Sequence, residues 1–161
     1  MKVRELMTEP VLTCTPQTSL AVAARLMREA DYGTLPVVDA AGRLVGILTD
    51  RDVCLALAGT RRNAGNIAVR EAMTANVFSA LVDDDVRSAL AVMKQHRVRR
   101  LPVRDTSGNL KGMLSVEDMV VRGLAGDGIG ADEIVEALRA MYTRVPVAVE
   151  LTPGPSDFTP G

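Results

Sequence analysis

Aromatic side chains are scarce in this chain of 161 residues, where Phe and Tyr together make up 2% and Trp is absent. A core must therefore be built from aliphatic side chains, and apolar residues do form 47% of the sequence. The scarcity argues against aromatic cages for quaternary amines and against stacking platforms for single-stranded nucleic acid. The four aromatic residues are Tyr32, Phe78, Tyr142 and Phe158.

Net charge is also small, because 19 Lys and Arg residues oppose 20 Asp and Glu residues and leave −1. A protein with this charge balance has no overall positive potential that would attract a phosphate backbone, which disfavours nucleic acid as a partner. No apolar run reaches the roughly 20 residues that a membrane-spanning helix needs, and no apolar signal segment follows the first residues. We therefore expect a cytoplasmic protein without a membrane partner.

Residues that carry chemistry are few. The chain has two cysteines, Cys14 and Cys54, and a single histidine, His96. Their spacings match no zinc motif, so we predict no metal site. Neither cysteine has an apparent base, so we predict no catalytic residue and no enzyme. The simplest interpretation of the cysteines is two partly buried thiols in a reducing compartment, with a sensing thiol pair as the alternative.

An internal repeat is the most informative feature of the sequence. Shifted by 66 residues, the chain aligns with itself without a gap, and 17 of the 53 pairs from residue 3 to residue 55 are identical. Residues 3–8 lie over 69–74, and residues 35–39 lie over 101–105. Each copy is near the size below which a single hydrophobic core is only marginally stable. We therefore expect the two copies to pack together with pseudo-twofold symmetry.

Each copy predicts the element order strand, helix, strand, strand, helix, which makes the fold class α+β, or mixed α/β. In the first copy, residues 11–14 predict a short strand, 35–38 and 44–48 a hairpin, and 50–58 a helix. The first helix of each copy has an apolar stripe and a choice of two N-caps. The stripes are Leu20, Ala23, Ala24 and Met27, then Val86, Ala89, Leu90 and Met93; the caps are Thr18 or Ser19, then Asp84 or Asp85.

The predicted organisation is a first repeat (1–60), a linker (61–68), a second repeat (69–124) and a C-terminal helix with a flexible tail (125–161). Asp132 is the predicted cap of the tail helix, whose stripe is Ile134, Val135, Leu138 and Met141. We expect 145–149 to be extended and the Pro/Gly-rich residues 152–161 to be mobile. The helix could cover the module itself, join a dimer or dock a partner, and packing on its own chain is the simplest expectation.

Each copy resembles a CBS domain, the module named after cystathionine β-synthase. The resemblance covers about residues 3–124 and consists of a Met-Thr opening, a Leu-Pro-Val-h-Asp strand, a turn Gly, and an ending Gly-h-h-[Ser/Thr]-x-x-Asp, where h is apolar. The ending reads Gly46-Ile47-Leu48-Thr49-Asp50-Arg51-Asp52 and Gly112-Met113-Leu114-Ser115-Val116-Glu117-Asp118. The resemblance implies a tandem pair that folds as one disc, often dimerises, and binds adenine nucleotides or adenosyl compounds in clefts between the repeats.

The ending supplies the first candidate binding residues. By the resemblance, Thr49 with Asp52, and Ser115 with Asp118, bind ribose. The chemistry is suitable, since a carboxylate can accept hydrogen bonds from two adjacent hydroxyls. Helix capping is the alternative role for the same residues.

Phosphate binding needs positive charge or backbone N–H groups. Arg99 and Arg100 precede the Leu-Pro-Val strand of the second repeat, where the resemblance implies a phosphate site. Gly33 and Thr34 occupy these positions in the first repeat, which has Arg51 inside its ribose motif where the second has Glu117. The two sites should therefore differ in charge, and Glu117 should repel a phosphate near the second. A solvated basic face is the alternative for the arginines.

The resemblance also places the adenine base. It implies Leu12, Tyr32, Gly33 and Thr34 in the first repeat, and Phe78, Val98, Arg99 and Arg100 in the second, so each cleft would have one aromatic wall. Core packing is the alternative for the apolar residues. The predicted function is a stand-alone bacterial-type sensor that binds an adenine nucleotide as a regulatory ligand and controls another protein. The rival is an interaction module with degenerate clefts that recruits a partner through its tail helix.

Overall fold

The computed structural model describes residues 1–123 and 128–143. These residues form two repeats and a C-terminal helix, which confirms the α+β class. The first repeat contains α1 (Leu20–Ala30), β1 (Thr34–Val38), β2 (Leu44–Thr49) and α2 (Asp50–Ala58). The second contains β3 (Ala80–Leu81), α3 (Val86–His96), β4 (Arg100–Arg104), β5 (Leu110–Ser115) and α4 (Val116–Asp118), which continues as a π-helical turn, Met119–Gly123. Helix α5 (Ala131–Tyr142) follows, and 3-10 turns lie at Val3–Glu5, Ala64–Asn66 and Val69–Glu71.

The repeat of the sequence is also a repeat of structure. Helix α1 and strands β1 and β2 recur 66 residues later as α3, β4 and β5. Of the predicted caps, Ser19 and Asp85 are the ones whose side chains accept a backbone N–H from the first turn of the helix. Two expectations were wrong. Ala24, predicted to belong to the apolar stripe of α1, is exposed. The predicted strand 11–14 is reduced to a single β-bridge between Cys14 and Val37, because its other residues form no ladder with a neighbouring strand.

Each repeat has an antiparallel hairpin, β1 with β2 and β4 with β5, and β3 adds a parallel strand to the second. Gly42 and Gly108 turn the hairpins at φ +78° and +88°, a conformation that favours glycine. The two tips pair with each other: Leu44 N–H donates to the carbonyl of Gly108 at 3.0 Å, and Leu110 N–H to that of Gly42 at 3.1 Å. The repeats therefore meet along their hairpins.

The opening segments of the two repeats are exchanged. Val3, at the start of the first repeat, is fully buried in the core of the second, and its N–H donates to the carbonyl of Asp84 at 3.0 Å. Val69 is fully buried in the core of the first, and its N–H donates to the carbonyl of Thr18 at 2.8 Å. Each core thus includes a segment that belongs, by sequence, to the other copy.

Helix α5 packs on its own chain. Its buried residues Ile134, Ala137 and Met141 join the second core, so the simplest expectation for the tail helix is confirmed. Ion pairs join it to α3, among them Arg87–Glu133 at 3.1 Å. The prediction that Asp132 caps this helix was wrong. The helix begins after Gly130, whose N–H donates to the carboxylate of Glu133 at 3.0 Å.

The predicted stripe of this helix is also only partly right. Leu138 packs against the second core, whereas Val135 is 50% exposed. The predictions for 145–149 and 152–161 lie outside the described residues.

The two thiols have different surroundings. Cys14 is buried and Cys54 is exposed, so the expectation of two partly buried thiols fits neither closely. Among the described residues no helix has both the length and the apolar character needed to cross a bilayer.

Candidate functional site

The candidate site that contains most of the predicted residues, which we call the first cleft, is a cavity of about 340 Å³ between the repeats. Its volume falls in the roughly 300–1,000 Å³ range typical of small-molecule sites. Both repeats contribute to its walls: Thr34, Ile47, Thr49 and Asp52 from the first, and Thr74, Asn76, Val77, Phe78, Val98, Arg99 and Arg100 from the second. The arginines of the second repeat therefore share a cleft with the ribose motif of the first repeat, not with that of their own.

Thr49 and Asp52 stand where β2 ends and α2 begins, and they cap that helix. The N–H and Oγ1 of Thr49 both donate to Asp52 Oδ2, at 2.8 and 2.7 Å, and the N–H of Asp52 donates back to Thr49 Oγ1 at 3.2 Å. Capping therefore occupies one carboxylate oxygen. The other, Oδ1, has no hydrogen bond from the described part of the chain, and Asp52 lines the cleft. Capping and ligand binding are thus compatible here.

The basic wall of the first cleft comes from the start of β4. Arg100 Nη2 donates to Glu117 Oε1 at 3.1 Å, so Glu117 neutralises part of this charge. The Nε of Arg100 is buried and has no hydrogen-bond partner among the described residues. Such an unsatisfied buried donor is unusual in a folded protein.

Arg99 and Arg100 each also contact an aromatic ring. Arg99 Nη1 donates to the hydroxyl of Tyr142 in α5 at 2.9 Å. Arg100 Cζ lies 6.0 Å from the ring centroid of Tyr32, within the range of a cation–π contact. These contacts connect the basic wall to α5 and to the aromatic residue of the first repeat.

Phe78 forms an aromatic wall of the first cleft. Its ring is stacked on His96, with centroids 3.5 Å apart and an interplanar angle of 13°, and it remains 45% exposed. A planar base could contact the exposed part of this ring. The residues predicted from the sequence do not include Ile47, Thr74, Asn76 and Val77, which also line the cleft. Thr74 belongs to the repeated Met-Thr opening, and this repetition was the available signal.

A smaller cavity, which we call the second cleft, has a volume of about 100 Å³. Several of its residues are the 66-residue equivalents of first-cleft residues, so the two are related by the pseudo-twofold symmetry. It is lined by Thr8, Pro10, Val11, Leu12, Ala30, Tyr32, Thr34, Leu35, Pro36 and Met113. The lining is mainly apolar and, among the described residues, includes no charged side chain.

The carboxylate of the second ribose motif is engaged differently. Ser115 N–H and Oγ donate to Asp118 Oδ2 at 2.8 and 2.6 Å, which repeats the capping arrangement. The other oxygen, Oδ1, accepts from Thr8 Oγ1 at 3.2 Å and from Arg122. Both oxygens of Asp118 are therefore occupied by the protein itself.

The predicted site residues thus separate into three groups. The first cleft brings together Thr34, Thr49, Asp52, Phe78, Val98, Arg99 and Arg100. The second contains Leu12, Tyr32 and Thr34. Gly33, Arg51, Ser115 and Asp118 line neither cavity: Arg51 is exposed on α2, and the carbonyl of Gly33 accepts the N–H of Asp50 at 3.0 Å.

Among residues 1–123 and 128–143, no three His, Cys, Asp or Glu side chains are grouped so that they could hold an ion. The polar side chains that line the first cleft carry hydroxyls, one amide, one carboxylate and two guanidinium groups, which suit a ligand with both hydroxyl and anionic groups.

Comparison with known proteins defines the family. The CBS domain model matches residues 3–59 and again 69–123, so the chain belongs to the CBS-domain family and is a tandem pair. The CBS domain-containing protein YhcV of Bacillus subtilis (strain 168) is 34% identical over 129 residues, which cover 80% of this chain and 90% of that protein. Inosine-5'-monophosphate dehydrogenase of Methanocaldococcus jannaschii is 33% identical, but the match covers 75% of this chain and only 23% of the enzyme.

Solved structures of similar pairs contain adenosine compounds. The CBS domain pair of protein MJ0100, in complex with 5'-methylthioadenosine and S-adenosyl-L-methionine, is 29% identical with a TM-score of 0.67, and the match covers 74% of this chain and 93% of that one. The protein CBSX2, in complex with AMP, is 27% identical with a TM-score of 0.65 and the same coverages of 74% and 93%. Related pairs therefore bind adenosyl ligands.

Proposed function

We propose that this protein is a sensor module that binds an adenosine ligand with a phosphate group in the first cleft. The main support for this proposal is that the Asp52 carboxylate and the side chains of Arg99 and Arg100 line the same cavity. The free oxygen of Asp52 can accept from ribose hydroxyls, and the guanidinium groups of Arg99 and Arg100 can donate to phosphate oxygens. Phe78 offers an apolar surface to the base. The ligands of similar pairs support the adenosyl part of this proposal.

Binding is tested by calorimetric titration and thermal shift with adenosine, AMP, ADP, ATP, NAD and S-adenosylmethionine. A ligand at 100 times its Kd adds about 2.7 kcal/mol of stability, which raises Tm by about 5–11 °C for a chain of this size. We expect AMP, ADP or ATP to bind more tightly than adenosine, because the arginines contact the phosphate. If none of the six ligands shifts Tm or releases heat, the proposal fails.

Two variants test the residues. Asp52→Asn can keep the cap through its amide oxygen but loses the charged acceptor, so we expect about tenfold to hundredfold weaker binding of every adenosine ligand. Arg99→Ala should weaken AMP about tenfold and leave adenosine unchanged. The matched control is Arg61→Ala, which removes an exposed arginine of the linker that lies outside both clefts. Equal loss of adenosine and AMP in Arg99→Ala would contradict the phosphate role.

A homodimer is the assembly that we propose. Leu55 and Val121 are equivalent under the 66-residue shift, and they are 59% and 78% exposed. Because the two positions are related by the pseudo-twofold symmetry, a second copy could contact both with its own equivalents, as an isologous interface requires. Light scattering after size exclusion should give a dimer for the wild type and a monomer for Val121→Asp. A monomeric wild type contradicts this part of the proposal.

Regulation of another protein is the proposed consequence of binding. A ligand shifts a conformational equilibrium only by its difference in affinity for the two states, and a change from mostly off to mostly on needs about 5.5 kcal/mol. The free thiols Cys14 and Cys54 fit the reducing cytoplasm that we propose as its location. Against the rival role of the tail helix, Ile134, Ala137 and Met141 of α5 are buried in the core of its own chain.

A further inference from the structure

We infer that Arg122 takes the place of a ligand at the ribose motif of the second repeat, next to the second cleft, so that the module binds one adenosine ligand per chain, in the first cleft. This inference rests on the proposed function and assigns its stoichiometry. Arg122 is outside the CBS ending motif, four residues after Asp118. Its role follows from the contacts that its guanidinium group makes.

The contacts of Arg122 converge on the second ribose motif. Its Nη2 donates to Asp118 Oδ1, to the backbone carbonyl of Leu6 and, at 3.3 Å, to Thr8 Oγ1. The hydroxyl of Thr8 also donates to Asp118 Oδ1 at 3.2 Å. A ribose would have to use the same carboxylate oxygen, because capping occupies the other one. The guanidinium therefore satisfies the acceptor that a ligand would need.

The first repeat has no counterpart of this arginine. The residue 66 positions before Arg122 is Ala56, whose side chain cannot donate a hydrogen bond. Asp52, the equivalent of Asp118, correspondingly keeps an oxygen without a partner in the described part of the chain. The difference between the two carboxylates thus depends on one residue of the following helix.

The local backbone differs at the same place. Helix α2 continues regularly from Asp50 to Ala58, whereas the equivalent helix of the second repeat changes after Asp118 to the π-helical turn Met119–Gly123. Such turns are rare and frequently occur at functional sites. Here the turn carries Arg122.

The volumes and charges of the two cavities also favour ligand binding in the first cleft over the second. The second cleft measures about 100 Å³ against about 340 Å³ for the first. Where the first has Arg99 and Arg100, the equivalent residues of the second are Gly33 and Thr34, which bring no charge to a phosphate. The second cleft is therefore both smaller and less suited to an anion.

Two reciprocal substitutions test the inference, with AMP and adenosine as probes in calorimetric titrations. Ala56→Arg places the guanidinium beside Asp52, and we expect at least tenfold weaker binding in the first cleft. Its control is Ala58→Arg, which adds the same charge at an exposed position of the same helix. Arg122→Ala frees Asp118, and we expect the stoichiometry with adenosine to rise from one to two per chain. Circular dichroism and Tm establish that each variant is folded.

The outcomes separate this inference from the function on which it rests. A wild type that binds none of the probes overturns the proposed function. A wild type that binds two ligands per chain overturns the inference while the function stands. The inference also fails if Ala56→Arg binds as tightly as Ala58→Arg, or if folded Arg122→Ala still takes only one ligand.

Discussion

Gly112 lies in β5 where the exchanged opening segment of the first repeat crosses the hairpin of the second. A Cβ added there would lie 2.8 Å from the carbonyl oxygen of Thr8 and 2.9 Å from Met7 Sδ. The backbone of residue 8 is fixed to the same hairpin, since the N–H groups of Thr8 and Met113 each donate to the other's carbonyl at 2.8 and 3.0 Å. Gly112→Ala must therefore displace backbone.

The cost can be worked from these contacts. Loss of the two backbone hydrogen bonds costs about 1 kcal/mol each, and overpacking adds about 1–3 kcal/mol. We expect Gly112→Ala to reduce the free energy of unfolding by about 3–5 kcal/mol, which corresponds to a fall in Tm of about 6–20 °C. Urea unfolding followed by circular dichroism measures the first quantity, and a thermal scan the second.

The symmetry-related glycine provides the matched comparison. A Cβ at Gly46 would lie 2.6 Å from Met73 Sδ but 3.3 Å from the backbone oxygen of Thr74. A methionine side chain can move away, so we expect Gly46→Ala to cost about 1–2 kcal/mol. Gly59→Ala meets only one ordinary contact, at 3.7 Å, and should change stability by less than about 0.5 kcal/mol. If Gly112→Ala is no more destabilising than Gly46→Ala, the reasoning from the crossing backbone is refuted.

Two further predictions concern titratable groups. A hydrogen bond from Arg62 lowers the pKa of Glu71 to about 2; because this folded-state pKa lies below the unfolded value, its contribution to stability is present above about pH 4.5 and is lost as the pH falls towards 2. Urea midpoints at pH 6 and pH 3 should therefore differ less in Glu71→Gln than in the wild type, and an unchanged difference contradicts this. Burial raises the pKa of the Cys14 thiol to about 11, so at pH 8 a thiol reagent should modify exposed Cys54 rapidly and Cys14 only after unfolding. Equal rates at the two cysteines in the native protein would show that Cys14 is accessible.

The repeat and the hairpins could be predicted from the sequence, and the N-caps of α1 and α3 could be narrowed to two residues each, because these features depend on local patterns. The exchange of opening segments could not. Val3 and Val69 begin segments that are nearly the same, so either segment fits either core by composition. Only the three-dimensional path of the chain decides which core each one enters.

The same limit applies to the candidate site. The sequence indicated Asp52 and the arginine pair as ligand-binding residues, but it grouped each arginine with the ribose motif of its own repeat. The structure brings the arginines to the motif of the first repeat because the clefts lie between the copies. The spacing of four residues between Asp118 and Arg122 can be read from the sequence. Ion pairs at this spacing are common on helices and usually contribute little to stability, so the spacing alone did not indicate a role for Arg122.

The exchanged opening segments also bear on how such a chain could have arisen. A protein of one repeat could not complete its core with its own opening segment in the geometry seen here, because that segment lies on the other copy. Two such proteins could complete each other by swapping segments, as domain-swapped dimers do. Gene duplication and fusion through the residues between Ala58 and Ile67 would then have made a reciprocal dimer into one chain. Once fused, the copies no longer had to remain alike, and Asp52 and Asp118 could acquire different surroundings.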